Sequence, residues 1–366
     1  MANEHRYCAI MAGGAGTRFW PASRKAWPKP FINLMGDKPL VRQTLERHEQ
    51  LIPAANSFFV LGKHLVEPAL ASSPNLGPEA MVVEPIARNT LGAVLLAMAE
   101  VLRRDPEGLL AILPADHLVG NPELYGRVMN AAFQLAESHT VCLGINPTRP
   151  ETGYGYICEG DPLSTTHVLI HPTITPAHVK RFVEKPDLET ASGYLAQGGY
   201  YWNSGMFIFK ASLFMKQLEN ADPLYADTCF RLMELLSADT PDEEAMVRAM
   251  APLPNKNIDK AVMELCDNMV VIPAHFPWSD VGSWDSLYDE RDKAHASFLH
   301  GDVINEDGEG NVVVSRDQAP MVVVRGLSNV VVVSTSDAVL VCPRGEGQQV
   351  GEIVKKLKNS GRDELL

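Results

Sequence analysis

The chain has 366 residues, with 32 Lys and Arg against 45 Asp and Glu, so its formal charge is −13. That sign argues against wholesale binding of nucleic acid or of an anionic membrane, while leaving room for a local basic site that takes one small anion. The chain is 46% apolar and 21% charged. That is a globular composition, long enough for about two domains and for a core without covalent staples.

In chain order, residues 7–11 (YCAIM) predict a buried strand that runs into a glycine-rich loop. Residues 41–51 have helical spacing, 57–61 (SFFVL) and 81–83 read as strands, and 90–102 as a helix capped by Asn89 or Thr90. A strand over 109–113 (LLAIL) stops at Pro114, a helix covers 124–138, and a strand covers 141–143. Strands alternating with helices predict an α/β fold, a Rossmann-like mixed, mostly parallel sheet with helices on both faces. Ligands in such sheets gather at the carboxyl ends of the strands. Further strands are expected over 154–158, 179–183 and 206–209, helices over 211–220, 224–236 and 243–250, and an extended stretch over 271–278. Beyond about residue 300 come four valine-rich runs, 312–314, 321–324, 330–333 and 338–341, with Gly, Asn, Asp and Ser between them. Their spacing fits turns of a β-helix, a small sandwich or an ordinary meander. A closing helix follows over 350–357. The expected organisation is a domain over 1–295 and a smaller β-rich one over 300–366.

The six cysteines form no C-x-x-C pair, which argues against a zinc ribbon and for free thiols in a reducing compartment. The apolar stretch 7–12 is too short for a secretory signal, and the one over 91–99 is about half a membrane span. The expectation is a soluble cytoplasmic protein.

The loop after the first strand reads Gly13-Gly14-Ala15-Gly16-Thr17-Arg18. Glycines there expose backbone N–H groups that can form a nest for phosphate oxygens. It is not a Walker A loop, because Gly16 is followed by Thr17-Arg18 where Lys and Ser or Thr are needed. It is not a dinucleotide fingerprint either, because Phe19 stands where the third glycine belongs, and that disfavours an oxidoreductase. Arg18 adds a planar permanent charge suited to phosphate, and Lys29 adds a point charge between Pro28 and Pro30. A structural turn with surface cations is the plain alternative.

Gly13-Gly14-Ala15-Gly16-Thr17-Arg18-Phe19-Trp20-Pro21-Ala22-Ser23-Arg24, followed by Pro28-Lys29, resembles the opening of the sugar-1-phosphate nucleotidyltransferases, in particular their mannose-1-phosphate guanylyltransferase branch. Glu84-Pro85-Ile86-Ala87-Arg88-Asn89-Thr90 resembles that branch's E-P-x-x-R-N-T segment, and Pro114-Ala115-Asp116-His117 its P-A-D-H loop. Four more segments follow in register: Thr152 to Ile157, Phe182 to Pro186, Trp202 to Phe207, and Trp278 to Trp284. One departure is Pro30, where many bacterial members have Gln; Lys29 is kept. The isomerase half of the two-headed members is not expected within these 366 residues.

The resemblance implies transfer of GMP from GTP to mannose 1-phosphate, with Mg²⁺ as cofactor. It implies a nucleotide site made by Gly13, Gly14, Gly16, Thr17, Arg18, Lys29, Glu84, Arg88 and Asn89. Asp116 and Asp280 are implied to hold the metal. Gly155, Glu184, Lys185 and Asn203 are implied to take the sugar phosphate, with Lys185 on the phosphate. Arg18, Lys29, Asp116 and Lys185 are the implied catalytic set. The nucleophile in such a reaction is already an anionic oxygen, so the chemistry calls for alignment and charge neutralisation rather than for a side-chain base. The plain reading of Asp116 is a helix cap or turn residue, and that of Asp280 and of Asn203 a turn residue. His117 reads as a nucleotide contact or a histidine satisfied by nearby backbone, and Trp20, Trp27 and Trp202 as possible packing residues. Glu184 and Lys185 can both touch ligand only if the backbone is irregular there. By analogy the tail is a left-handed β-helix used in a homodimer. The alternatives kept open are a relative using another base or sugar, and a non-catalytic nucleotide-sugar-binding subunit.

Overall fold

The protein is described by a computed structural model covering residues 3–14, 16–163, 174–238, 240–291, 294–316 and 318–366. Ala15 of the glycine loop lies outside the described residues. Strands β1 (Arg6–Met11), β2 (Ser57–Gly62), β3 (Met81–Glu84) and β4 (Leu109–Pro114) form one parallel half of a nine-stranded sheet. After the short β5 (Leu118–Val119), strands β6 (Thr140–Ile145), β7 (Tyr156–Pro162), β8 (Ala177–Val183), β9 (Tyr200–Lys210) and β10 (Met269–Ala274) complete the order β3-β2-β1-β4-β9-β6-β10-β8-β7. Of these nine, β8 and β9 run against the other seven, so the sheet is mixed but mostly parallel in direction.

Strand alternation sorts the core onto two faces. Tyr7 and Ala9 of β1 pack with the helices Asn89–Arg104 and Pro223–Leu236, whereas Cys8 and Ile10 pack with Leu40–His48 and Pro122–Ala136. The helix at residue 89 is not capped as expected. Asn89 has φ +56° and its Oδ1 accepts from the Thr90 N–H at 2.8 Å, while the Thr90 hydroxyl accepts from the Ile258 N–H at 2.9 Å. That turn is therefore spent on holding a distant loop. The strand expected over 206–209 begins already at Tyr200, because the residues before Met206 alternate between buried and half-buried positions and take part in the ladder.

The extended stretch expected over 271–278 breaks at β10 and resumes as β11 (Trp278–Ser279), which pairs antiparallel with β5. The tail is a β-helix. Strands β12 (Phe298–His300), β14 (Val312–Ser315) and β16 (Val330–Ser334) stack in parallel on one side, β13 (Val303–Glu306) and β15 (Val322–Arg325) on another, and β17 (Val339–Pro343) closes the stack antiparallel to β16. Val312, Val314, Val331 and Val333 face inward and share one apolar cluster with Phe19, Trp20, Trp284 and Leu287 of the larger domain. The Trp20 indole donates to the Leu365 carbonyl at 2.8 Å, and Arg24 pairs with Asp337 at 2.7 Å. Trp20 is thus a packing residue that ties the tail to the segment just after the glycine loop. No helix among the described residues is long and apolar enough to cross a membrane.

Candidate active site

β1 delivers the glycine loop. Gly16 turns it with φ +57° into the one-turn helix Thr17–Phe19. A Cβ on Gly16 would stand 2.5 Å from the Lys29 Cβ, so loop and lysine are packed in direct contact. Lys29 opens a one-turn helix with Pro30 at its second position, is only 6% exposed, and donates its backbone N–H to Ser23 Oγ at 3.0 Å. Its Nζ donates to Asp116 Oδ2 and to the Asp280 carbonyl, both at 2.7 Å. The two aspartates are 164 residues apart in sequence (280 − 116). The β5–β11 ladder brings them together, because each lies just outside it and Ser279 pairs with Leu118.

Burial alone pushes the Asp116 carboxyl upward, but the charge and hydrogen bond of Lys29 outweigh it and hold the group below its ordinary value. Asp280 Oδ1 accepts from the Tyr154 hydroxyl at 2.6 Å. Burial, then the Asp280 charge, push that phenol far above its usual range, so Tyr154 stays protonated and donates. Val281, next in sequence, sits at φ +44°, which a β-branched residue adopts only when its surroundings force it. Among the described residues no group of three or more His, Cys, Asp and Glu could hold a metal. Hard oxygen donors such as the Asp116 and Asp280 carboxylates do suit Mg²⁺, an ion that takes few protein ligands and completes its shell with phosphate oxygens and water.

A second group of residues lines a cavity of about 330 Å³ that also reaches Asp280 and His117. Gly155, Glu184, Lys185 and Asn203 all face it. Gly155 packs closely on the others, since a Cβ there would lie 2.7 Å from Glu184 Oε2 and 3.3 Å from Asn203 Cβ. Strand β8 ends at Val183, and Lys185 follows at φ +50°. This irregular backbone lets consecutive side chains meet: Lys185 Nζ stands 3.2 Å from Glu184 Oε1, which also accepts from Asn257 Nδ2 at 3.1 Å. Asn203 is more than a turn residue. Its Nδ2 donates to Asp259 Oδ1 at 2.8 Å and its Oδ1 accepts from the Gly205 N–H at 3.0 Å.

Asp259 is a cavity residue that the sequence reading missed. Burial, then the nearby Glu184 charge, raise its carboxyl to about 6. In sequence, Asn257-Ile258-Asp259 looks like an ordinary cap with an acidic first turn, and Asn257 does cap the short helix Ile258–Ala261. His117 finds its partner in a side chain, not in the nearby backbone. The Trp278 indole donates to its Nδ1 at 3.3 Å, and burial lowers the ring to about 4, so it is neutral.

Glu84 ends β3 beside the glycine loop, 3.8 Å from where a Gly13 Cβ would be. Burial raises its carboxyl to about 7. Gly13, Gly14 and Thr17 are exposed on the loop. Arg18 lies on a larger cavity of about 970 Å³ that also reaches Asp280, Tyr154, Lys185 and Trp202. Arg88 and Asn89 face neither cavity. The Arg88 guanidinium donates to the Ala251 carbonyl at 3.0 Å and so braces a neighbouring helix end.

Fold and site together define an α/β protein that brings a glycine loop, a buried lysine and two aspartates together, with a β-helix packed against it. Residues 8–297 match the model of the nucleotidyl transferase family, and residues 301–357 match that of the MannoseP isomerase/GMP-like β-helix domain. The chain belongs to the nucleotidyl transferase family, and it is an enzyme of that kind. It is 40% identical over 97% of its length to the xanthan biosynthesis protein XanB of Xanthomonas campestris, of which it covers 74%. It is 36% identical over 100% of its length to the mannose-1-phosphate guanylyltransferase of Escherichia coli K12, of which it covers 76%. Among solved structures, that of mannose-1-phosphate geranyltransferase from Thermus thermophilus matches with a TM-score of 0.83 and 34% identity, covering 97% of this chain and 99% of the other.

Proposed function

We propose that the protein transfers GMP from GTP to α-D-mannose 1-phosphate, giving GDP-mannose and pyrophosphate. The observation that carries this reading is the Lys29 ammonium held between Asp116 and Asp280, beside a cavity that Lys185 enters. The names of the relatives support the choice of sugar and base. In this reaction a phosphate oxygen of the sugar attacks the α-phosphorus, the bond from that phosphorus to the bridging oxygen breaks, and the electron pair leaves with pyrophosphate. No side chain has to take a proton. The Gly13–Gly14 amides, Arg18 and Lys29 bind the triphosphate, and Lys185 binds the sugar phosphate. Glu184, Asp259 and Asn203 take sugar hydroxyls. Asp116 and Asp280 would hold Mg²⁺, which supplies charge neutralisation on the reacting phosphates. Exposed apolar residues on the β-helix, Ile304 paired with Val323 on one sheet and Val339 and Val341 on another, support a homodimer through that domain. We place the protein in the cytoplasm. Pyrophosphate release from GTP, ATP, UTP and dTTP with mannose and glucose 1-phosphates tests the reading; GTP with mannose 1-phosphate is expected to give the highest kcat/KM, and any other best pair overturns it.

Two substitutions refine the roles. Lys185→Ala is expected to raise the KM for mannose 1-phosphate at least about 10-fold and to leave that for GTP within about twofold, because one charge-assisted contact to the sugar phosphate is lost. Equal changes in both constants contradict the assignment. Glu84 predicts a pH effect. A carboxylate accepts from the N1–H and N2–H donors of guanine, and a protonated carboxyl does not do so at both oxygens. Its folded value of about 7 lies above the ordinary 4.5, so between these limits the folded chain keeps a proton that the unfolded chain has released. The stability that the protonated group contributes is present below pH 4.5 and is lost as pH rises through about 7. Guanine binding has the opposite dependence. The KM for GTP is expected to fall as pH rises from 6 to 8, and this slope is expected to vanish in Glu84→Gln. A slope that persists in the variant excludes Glu84 as its source.

A further inference from the structure

The larger cavity has a wall that comes from the far end of the chain. Gln348, in the one-turn helix Gly347–Gln349 after β17, accepts at Oε1 from Arg18 Nη1 at 2.8 Å. The segment that carries it is clamped by Asp285. One carboxylate oxygen accepts from the Gly345 N–H at 2.7 Å and the other from the Gly347 N–H at 2.8 Å. A Cβ at residue 347 would stand 2.6 Å from Asp285 Oδ2, so the carboxylate lies close against the backbone there. Asp285 itself lies in the first turn of the helix Trp284–Glu290, five residues after Asp280 (285 − 280). One helix thus carries both the Asp280 loop and the anchor of the C-terminal strap.

We infer that Gln348 positions Arg18 for the triphosphate and presents its own amide N–H to the same ligand, so that the C-terminal segment completes the nucleotide wall. This rests on the reading above, in which Arg18 binds the triphosphate. A guanidinium has only donors, so the amide oxygen is the atom that must face Arg18, and Nε2 is left with two donors and no partner among the described residues. Both groups line the cavity that reaches Asp280. Arg18 is a long exposed side chain that otherwise loses its rotamer freedom only when ligand binds; a partner that holds it beforehand lowers that loss. A glutamine does so without cancelling the positive charge, whereas a glutamate of the same length would cancel it.

The test uses the full chain and its variants Gln348→Met and Gln348→Glu, in the forward direction and in the reverse direction with pyrophosphate. Because Gln348 is exposed, both variants are expected to melt at the wild-type temperature. Gln348→Met is expected to raise the KM for GTP and for pyrophosphate about 10-fold, and Gln348→Glu further still, with the KM for mannose 1-phosphate within about twofold of wild type. A purely structural role predicts that Gln348→Glu, which still holds Arg18, behaves as wild type; that result, or an equal rise for mannose 1-phosphate, overturns the inference. If wild type itself fails with GTP and mannose 1-phosphate, the functional reading falls. Calorimetric binding of inorganic pyrophosphate to the three proteins then still decides the role of Gln348: weaker binding by both variants upholds it and unchanged binding refutes it.

Discussion

Asp116→Asn is expected to reduce turnover about 100-fold or more, because on the proposed reading the loss of one carboxylate charge where two polyanions and a divalent ion meet removes several kcal/mol of neutralisation. The substitution suits the test because it separates charge from shape. Asparagine keeps an oxygen that can accept from Lys29 Nζ, so the buried ammonium retains its bonds to residue 116 and to the Asp280 carbonyl. Removal of the side chain by Asp116→Ala is a poorer choice. It strands a buried cation, and the variant then loses stability as well as activity. The measurement is pyrophosphate release over a range of Mg²⁺ concentrations, with thermal unfolding as a control. The expected outcome is a lowered kcat together with a higher Mg²⁺ requirement in a folded protein. Near-normal turnover at unchanged Mg²⁺ removes Asp116 from the metal site.

What the sequence discloses here is local, and what it hides is convergence. The strands of the parallel half are legible because buried strands read as short apolar runs. The valine runs of the β-helix are legible for the same reason. β12 and β13 escape notice because each offers only a two-residue apolar pair, Phe298-Leu299 and Val303-Ile304, with polar residues on either side, so no apolar run forms. The candidate site divides in the same way. The glycine loop, Lys29 and Asp116 stand out as motifs, but nothing near residue 29 announces that its ammonium spans Asp116 and the Asp280 carbonyl. That contact depends on a two-residue ladder between β5 and β11, too short to carry a pattern. Asp259, Tyr154 and Gln348 are hidden for the same reason. Each is an ordinary residue locally and gains its role from a partner more than 50 residues away, at Asn203, Asp280 and Arg18 respectively. Arg88 shows the converse, since a conspicuous cation in a conspicuous motif donates to the Ala251 carbonyl and braces the fold.

Gly16→Ala is expected to abolish most activity through the backbone, without touching a charged group. The residue sits at φ +57°, a conformation that costs a non-glycine residue about 1–2 kcal/mol. The new methyl also has nowhere to go. It would lie 2.5 Å from Lys29 Cβ, 2.8 Å from Ser23 Oγ and 3.0 Å from Lys29 N. Lys29 cannot readily retreat, because Pro28 and Pro30 stiffen its segment and its N–H is bonded to Ser23. The strain is relieved by moving the lysine, and its Nζ then leaves Asp116 and the Asp280 carbonyl. The expected result is a turnover lower by about 100-fold and a stability lower by about 3 kcal/mol, as for other forced left-handed residues with a buried clash. Gly14→Ala is the control. A Cβ there meets nothing within 4 Å, and its φ is not in the left-handed region, so the fold is expected to be untouched. If the loop cradles phosphate, Gly14→Ala raises the KM for GTP while its melting temperature stays at the wild-type value. If Gly16→Ala keeps wild-type turnover and stability, the packing of loop against lysine is not what aligns the site. If Gly14→Ala binds GTP normally, the loop does not approach the triphosphate closely.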